Sequence, residues 1–311
     1  MRPLRPLAPV TAIELDGVSK RFGSVTALRD LDLTVEQGEV FGFLGPNGAG
    51  KSTTIDLLLD YLRPTEGRVT VLGTDVQADP IAVRERTGIL PEGFSTFATM
   101  TGRQHLQFAI DARDAADDPD AILDRVGLGD AGDRRASGYS KGMAQRLALG
   151  MALVGEPDLL ILDEPSTGLD PHGVRRMREI VREERDRGAT VFFSSHILGQ
   201  VEAVCDRVGI LRSGELLAVD TLDGLRDTAG FAGQLSVTLD REPDGAVEDV
   251  RTLDAVSSVA VDGRTITVGC PDGVKADVID AARERGAAVE NVETADSSLE
   301  DLFVAYTEGE A

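Results

Sequence analysis

GPNGAGKS at positions 45 to 52 sets three glycines, a lysine and a serine between an apolar run, VFGFL, and a segment of helical character, STTIDLLLDYL. Backbone N–H groups can wrap phosphate oxygens only where side chains are absent, which is the use of Gly45, Gly48 and Gly50. A helix starting here also turns the positive end of its dipole toward the same anion. Lys51 supplies a point charge to the phosphates, and the Ser52 hydroxyl can ligate Mg²⁺. Strand, glycine-rich turn and helix in this order make a P-loop pattern. Residues 45 to 53 are therefore read as the ATP-binding stretch, with Pro46, Asn47, Ala49 and Thr53 completing it.

A second stretch, LLILDEP at 159 to 165, ends an apolar run in two adjacent carboxylates. Next to a bound triphosphate, Asp163 is placed to hold Mg²⁺ through water, and Glu164 to polarise the water that attacks the terminal phosphate. Many nucleotide hydrolases share these two elements, so they define a chemistry and not a family.

The stretch between them is more specific. YSKGMAQRLALGMAL at 139 to 153 resembles the signature segment of ABC ATPases, with Tyr139, Ser140, Lys141, Gly142 and Met143 in the five signature positions. The resemblance continues in family order over about residues 12 to 220. Phe22 stands where an adenine-stacking aromatic is expected, Glu92 in ILPEG at the Q-loop position, STGLD at 166 to 170 as the D-loop, and His196 at the end of the switch strand. The resemblance implies that Glu164 and His196 are catalytic and that Phe22 and Glu92 contact ATP. It also implies a two-fold pair of subunits, in which Ser140, Lys141, Gly142 and Asp170 of one meet the nucleotide of the other. Ser140 just ahead of a helix suits a second phosphate-binding surface, because its hydroxyl, the nearby N–H groups and the dipole can face one anion.

Two positions depart from the common pattern. Glu92 replaces Gln, which leaves its part as a Mg²⁺ or water ligand open, and Tyr139 and Met143 replace the signature Leu and Gln. Pro-Glu at the Q-loop, the SKGM form and the ending SSLEDLFVAYT all look like the ABC-2 type and multidrug exporter branch. His105 and His172 have no such placement and are read as structural or surface residues.

The elements that must position these groups follow from periodicity. Residues 12 to 37 read as short apolar-polar strands broken by glycine, an antiparallel edge subdomain. LLILD at 159 to 163 and TVFFSS at 190 to 195 are apolar throughout or nearly so, as buried parallel strands are. Residues 93 to 158 read as mainly helical, broken at DARDAADDPD. The expected fold is α/β, a P-loop core with an antiparallel edge and a helical subdomain, in a nucleotide-binding domain over residues 1–220. From 221 to 311 the order strand, helix, strand, strand, helix, strand predicts a small α+β accessory domain of ferredoxin-like type.

Composition bounds the setting. With 54 acidic against 32 basic side chains the net charge is -22, which disfavours nucleic-acid partners. Lysine occurs only at 20, 51, 141 and 275, and an acidic, lysine-poor surface resembles proteins of high-salt cytoplasm. Two cysteines, Cys205 and Cys270, imply a reducing compartment. No stretch is long and apolar enough to span a bilayer, and the start, MRPLRPLAPV, lacks an apolar signal core. The expectation is a cytoplasmic ATPase subunit, a homodimer held peripherally at the membrane by separately encoded permease subunits. A soluble ABC ATPase acting on ribosomes or DNA is the alternative, disfavoured by the acidity and by the single nucleotide domain.

Overall fold

The computed structural model describes residues 10–228, 234–243, 245–253, 256, 258–270, 272–283 and 287–295. Residues 1–9 and the ending SSLEDLFVAYT lie outside them. The chain divides into two compact units, Met1–Val219 and Asp220–Ala311.

In the first unit, β1 (Thr11–Phe22) and β2 (Val25–Glu36) form a long antiparallel hairpin, extended by β4 (Glu66–Val71) and β5 (Thr74–Asp75) into a sheet of order β2-β1-β4-β5. Glycine separates the two strands, at a turn through Gly23 with φ +59, and a second glycine lies inside β1. Gly17 adopts φ +58 at a register shift between Leu15 and Val18, and its N–H donates to Asp32 Oδ1 at 2.7 Å. The result is a bulge inside one strand, the usual way a sheet absorbs an extra residue.

The second sheet has the order β10-β9-β3-β8-β7-β6. It comprises β3 (Val40–Leu44), β6 (Thr87–Leu90), β7 (Leu159–Asp163), β8 (Thr190–Ser195), β9 (Arg207–Arg212) and β10 (Glu215–Asp220). The pairs β3/β8, β3/β9, β7/β8 and β6/β7 are parallel. Every residue of β3, β7 and β8 is buried, which is why they read as unbroken apolar runs. Two helices follow strands of this sheet: α1 (Lys51–Leu58) after β3 and α6 (Pro171–Arg187) after β7. The carboxyl ends of β3, β7 and β8 thus bring residues 45–52, 163–164 and 194–196 to one edge, the edge where open α/β sheets bind ligands. The short helices α2 (Pro80–Glu85) and α7 (Leu198–Val201) complete the core layer.

Between β6 and β7 lie α3 (Gly102–Arg113), α4 (Pro119–Arg125) and α5 (Lys141–Leu153). α3 starts in a capping box made by Thr101 and Gln104. α4 is clamped to α6 by charge: Arg125 reaches Glu184 at 2.7 Å and Glu183 at 3.0 Å, while Arg187 holds the other Glu184 oxygen at 2.6 Å.

The second unit contains α8 (Leu222–Thr228), β11 (Gln234–Leu239), α9 (Ala246–Arg251), β12 (Ser258–Asp262), β13 (Thr265–Gly269), α10 (Lys275–Arg283) and β14 (Val289–Ala295). Its sheet is antiparallel with order β12-β13-β11-β14, the split βαβ arrangement. Leu235, Val237, Ile266 and Val268 point to one face, where Val250, Val278 and Ala282 cover them. Among the described residues no helix is long and apolar enough to cross a membrane.

Candidate active site

A cavity of about 240 Å³ opens at the carboxyl edge of the parallel sheet, lined by Asn47, Gly48, Gly50, Lys51, Ser52, Thr53, Glu92, Asp163 and Glu164, with Ala27 from β2. Residues 45–50 can turn there because Gly48 and Gly50 take φ of +81 and +116, a region other residues avoid. A Cβ at Gly50 would lie 2.9 Å from the Ala27 carbonyl, so the hairpin of the edge sheet abuts the loop. Gly45 and Ala49 are buried beneath it and Pro46 stands exposed on its rim.

Lys51 is buried, and its Nζ donates to the carbonyls of Gly45 at 2.7 Å and Pro46 at 3.3 Å. Two of three ammonium protons are thereby committed to the loop, which fixes the charge at its mouth. Ser52 Oγ donates to Asp163 Oδ2 at 3.2 Å, and Ser194 Oγ donates to Asp163 Oδ1 at 2.9 Å. Burial pushes the Asp163 carboxyl above the ordinary carboxylate range, against those two hydrogen bonds, and the charges of Glu92 and Glu164 push it further.

Glu164 has φ +48, a left-handed backbone uncommon for a residue with a side chain. That turn, immediately after β7, aims its carboxylate back into the site. Lys51 Nζ lies 3.5 Å from Oε1 and His196 Nδ1 2.9 Å from Oε2, yet neither contact has the direction of a hydrogen bond. Both oxygens of this buried carboxylate therefore lack a hydrogen-bond donor among the described residues. His196 itself is about half exposed.

The residues present fit Mg²⁺. Serine and carboxylate oxygens are the hard donors it takes, and the crowding of Glu92, Asp163 and Glu164 is negative charge that a cation relieves. Among the described residues no three His, Cys, Asp or Glu side chains form a complete cage. That accords with a metal held by one or two protein ligands and completed by phosphate oxygens and water.

The other predicted site residues do not line this cavity. Ser140, Lys141 and Tyr139 line an adjoining one of about 420 Å³, which shares Glu92 and Glu164 with the first and also includes Gln145 and Thr167. Ser140 caps α5, its Oγ accepting from Met143 N–H at 3.2 Å, which leaves the hydroxyl proton to donate outward. Gly142 permits close approach, though to protein: a Cβ there would lie 2.7 Å from the Gly168 carbonyl. Asp170 caps α6, accepting from Gly173 N–H at 2.7 Å. Phe22 ends β1, 46% exposed, with Lys20 Nζ 4.9 Å from its ring centre. His105 is fully buried, its Nδ1 donating to Thr101 O at 2.7 Å and its Nε2 accepting from Phe97 N–H at 2.9 Å.

Ala27, Ser194 and Gln145 belong to the site and were not read from the sequence. Gln145 had a visible sign, an amide on the buried side of an otherwise apolar helix, and Ser194 had another, a hydroxyl in a wholly buried strand. Ala27 carried none.

The ABC transporter family matches residues 28–167. Over 306 residues the chain is 37% identical to a daunorubicin resistance ATP-binding protein of Streptomyces coeruleorubidus, with 96% of each chain covered. It is 34% identical over 305 residues to Nod factor export ATP-binding protein I of Bradyrhizobium diazoefficiens, covering 95% of this chain and 96% of that one. Among solved structures it is similar to the ATP-binding subunit of an ABC transporter, with TM-score 0.66, 30% identity, and coverage of 71% of this chain and 94% of the other.

Proposed function

The chain is an ATP-hydrolysing member of the ABC transporter ATP-binding family, in the multidrug exporter branch, and from that premise we propose that it powers export through separate membrane-spanning permease subunits as a pair of identical protomers. The observation that carries the pairing is the division of the site. Ser140 and Lys141 line a cavity that adjoins the one holding Lys51 and Ser52 across Glu92 and Glu164 but includes neither, which supports reading each protomer as one hydrolytic half beside a phosphate-binding turn that serves a partner.

In this reading the N–H groups of residues 45–52 and the Lys51 ammonium hold the phosphates, and Phe22 stacks on adenine. Ser52 and Asp163 would hold Mg²⁺, with Glu92 close by; when bound, the metal neutralises charge on the phosphate oxygens. Glu164 accepts a proton from the attacking water at a carboxylate oxygen that no neighbour hydrogen-bonds, while His196, 2.9 Å from Oε2 at the end of β8, can hydrogen-bond the γ-phosphate or the attacking water. Ser140, Lys141 and Gly142 meet the second protomer's nucleotide, and Asp170 serves the interface by fixing the end of the 166–170 loop through its cap.

Docking on permeases places the protein at the cytoplasmic face of the membrane. Net charge -22 with four lysines supports a high-salt cytoplasm, where turnover would persist above about 1 M KCl, beyond the range of Debye screening at ordinary salt. The pairing is tested by blocking it. Protomers kept monomeric by a bulky substitution at Ser140 should bind ATP and fail to hydrolyse it, whereas full turnover in a strict monomer refutes the shared site. Co-purification with a multi-helix membrane protein at high salt tests the permease.

A further inference from the structure

The segment that carries the catalytic carboxylate does not rest only on its own strand. Three contacts join residues 164–168 to the first two turns of α5, the helix that Ser140 caps. Gln145, 8% exposed, donates Nε2–H to the carbonyls of Pro165 at 3.2 Å and Glu164 at 3.4 Å. The Gly168 carbonyl sits so close to Gly142 that a Cβ there would lie 2.7 Å from it, and a Cβ at Gly168 would meet the Lys141 side chain at the same distance. Glu164 is the residue whose backbone is left-handed, a conformation that persists only where neighbours hold it. Gln145 supplies side-chain hydrogen bonds to the carbonyl of Glu164 itself and to that of the next residue, Pro165.

We infer that Gln145 is a positioning residue through which α5 sets the aim of Glu164, so that engagement of Ser140 by the second protomer's nucleotide tunes hydrolysis in the first. This rests on the reading above that Ser140 meets that nucleotide. The physical route is short. Ser140 and Gln145 lie on the first turns of one helix, and a helix of 13 residues moves as a rod. A small displacement of its N-terminus on binding an anion changes the separation of Gln145 from two carbonyls that are already near the long end of hydrogen bonding. The carboxylate then turns toward or away from the attacking water, and misplacement on the ångström scale is costly in rate. Each site thus senses whether the other is filled, which makes turnover cooperative in ATP.

Gln145→Met keeps the side chain's length and removes its donors. In the purified full chain this variant should lower kcat about tenfold, leave the half-saturating ATP concentration within about twofold, and bring the Hill coefficient for ATP down to one. Gln145→Lys, whose side chain is one bond longer and charged but restores N–H donors, should recover part of kcat and of the cooperativity, and it serves as the readout if the Met variant does not fold. Unchanged kcat and Hill coefficient in Gln145→Met overturn the inference. So does a Hill coefficient of one in the parent protein, or a Lys variant no better than Met. The underlying reading is tested separately by gel filtration of Glu164→Gln with ATP. If no dimer forms, the shared site fails; if the dimer forms and Gln145→Met is silent, only the coupling fails.

Discussion

The two regions that line the cavities of the nucleotide-binding unit are built on opposite plans. Lys51, Asp163 and Glu164 are 6%, 4% and 5% exposed, and their positions are set by loop carbonyls, Ser52, Ser194 and the strand ends around them. Ser140 and Lys141 are exposed, and their only fixed relation is to α5 and the Gly168 loop below them. Burial makes the first surface rigid and chemically primed but leaves like charges crowded. Exposure leaves the second accessible from solvent, as the proposed meeting with a second protomer's nucleotide requires.

The largest expected effect breaks the primed half alone. Glu164→Gln should lower phosphate release by roughly 10² to 10⁴, the usual worth of a positioned general base, while ATP binding persists and dimers accumulate. Next comes the clamp that carries the exposed half. Glu184, 2% exposed, holds Arg125 of α4 and Arg187. Glu184→Ala should cost about 2–3 kcal/mol in denaturant unfolding, below the full value of a buried pair because both guanidinium groups retain solvent. If the helical subdomain melts before the core, the halves are separable folding units. Lys51→Ala should weaken ATP binding by roughly 10- to 100-fold in a fluorescent-nucleotide titration, the range of a charge-assisted hydrogen bond, without altering the Ser140 surface.

The smallest effect concerns the crowding itself. Because the folded protein holds the Asp163 carboxyl above its usual range, chiefly through burial, the folded state binds that proton more tightly than the unfolded chain. The contribution is favourable in acid and is lost as pH rises through the raised value. Asp163→Asn should therefore raise the thermal midpoint of the ligand-free protein at neutral pH, and the gain should vanish toward acid pH. A neutral-pH midpoint that falls would mean that Asp163's two hydroxyl partners outweigh its burial.

How much of this was legible beforehand depended on whether the signal was local. VFGFL, LLILD and TVFFSS are contiguous and buried on both faces, so they read directly as parallel strands, and the α/β core of the family followed from them. The glycine-rich turn was equally plain because its chemistry lies within eight consecutive residues. Gly23 and Gly17 carried the same local sign, yet one is a turn and the other a bulge, and the two look alike until the partner strand supplies Asp32. Gln145 and Ala27 reach the site from elements distant in sequence, and nothing in their neighbourhoods says which carbonyl or loop they will meet. The close fit of Gly142 was visible as a need for space, but its beneficiary, the Gly168 carbonyl, was set by tertiary packing.

The left-handed turn at Glu164 bears on how such a protein can change over generations. Glycine, asparagine and aspartate tolerate that conformation better than glutamate does, so drift toward a more comfortable backbone leads away from hydrolysis. A descendant that kept Lys51 and Ser140 while acquiring glycine here would gain robustness and become a latch that closes on nucleotide and reopens only when it diffuses away.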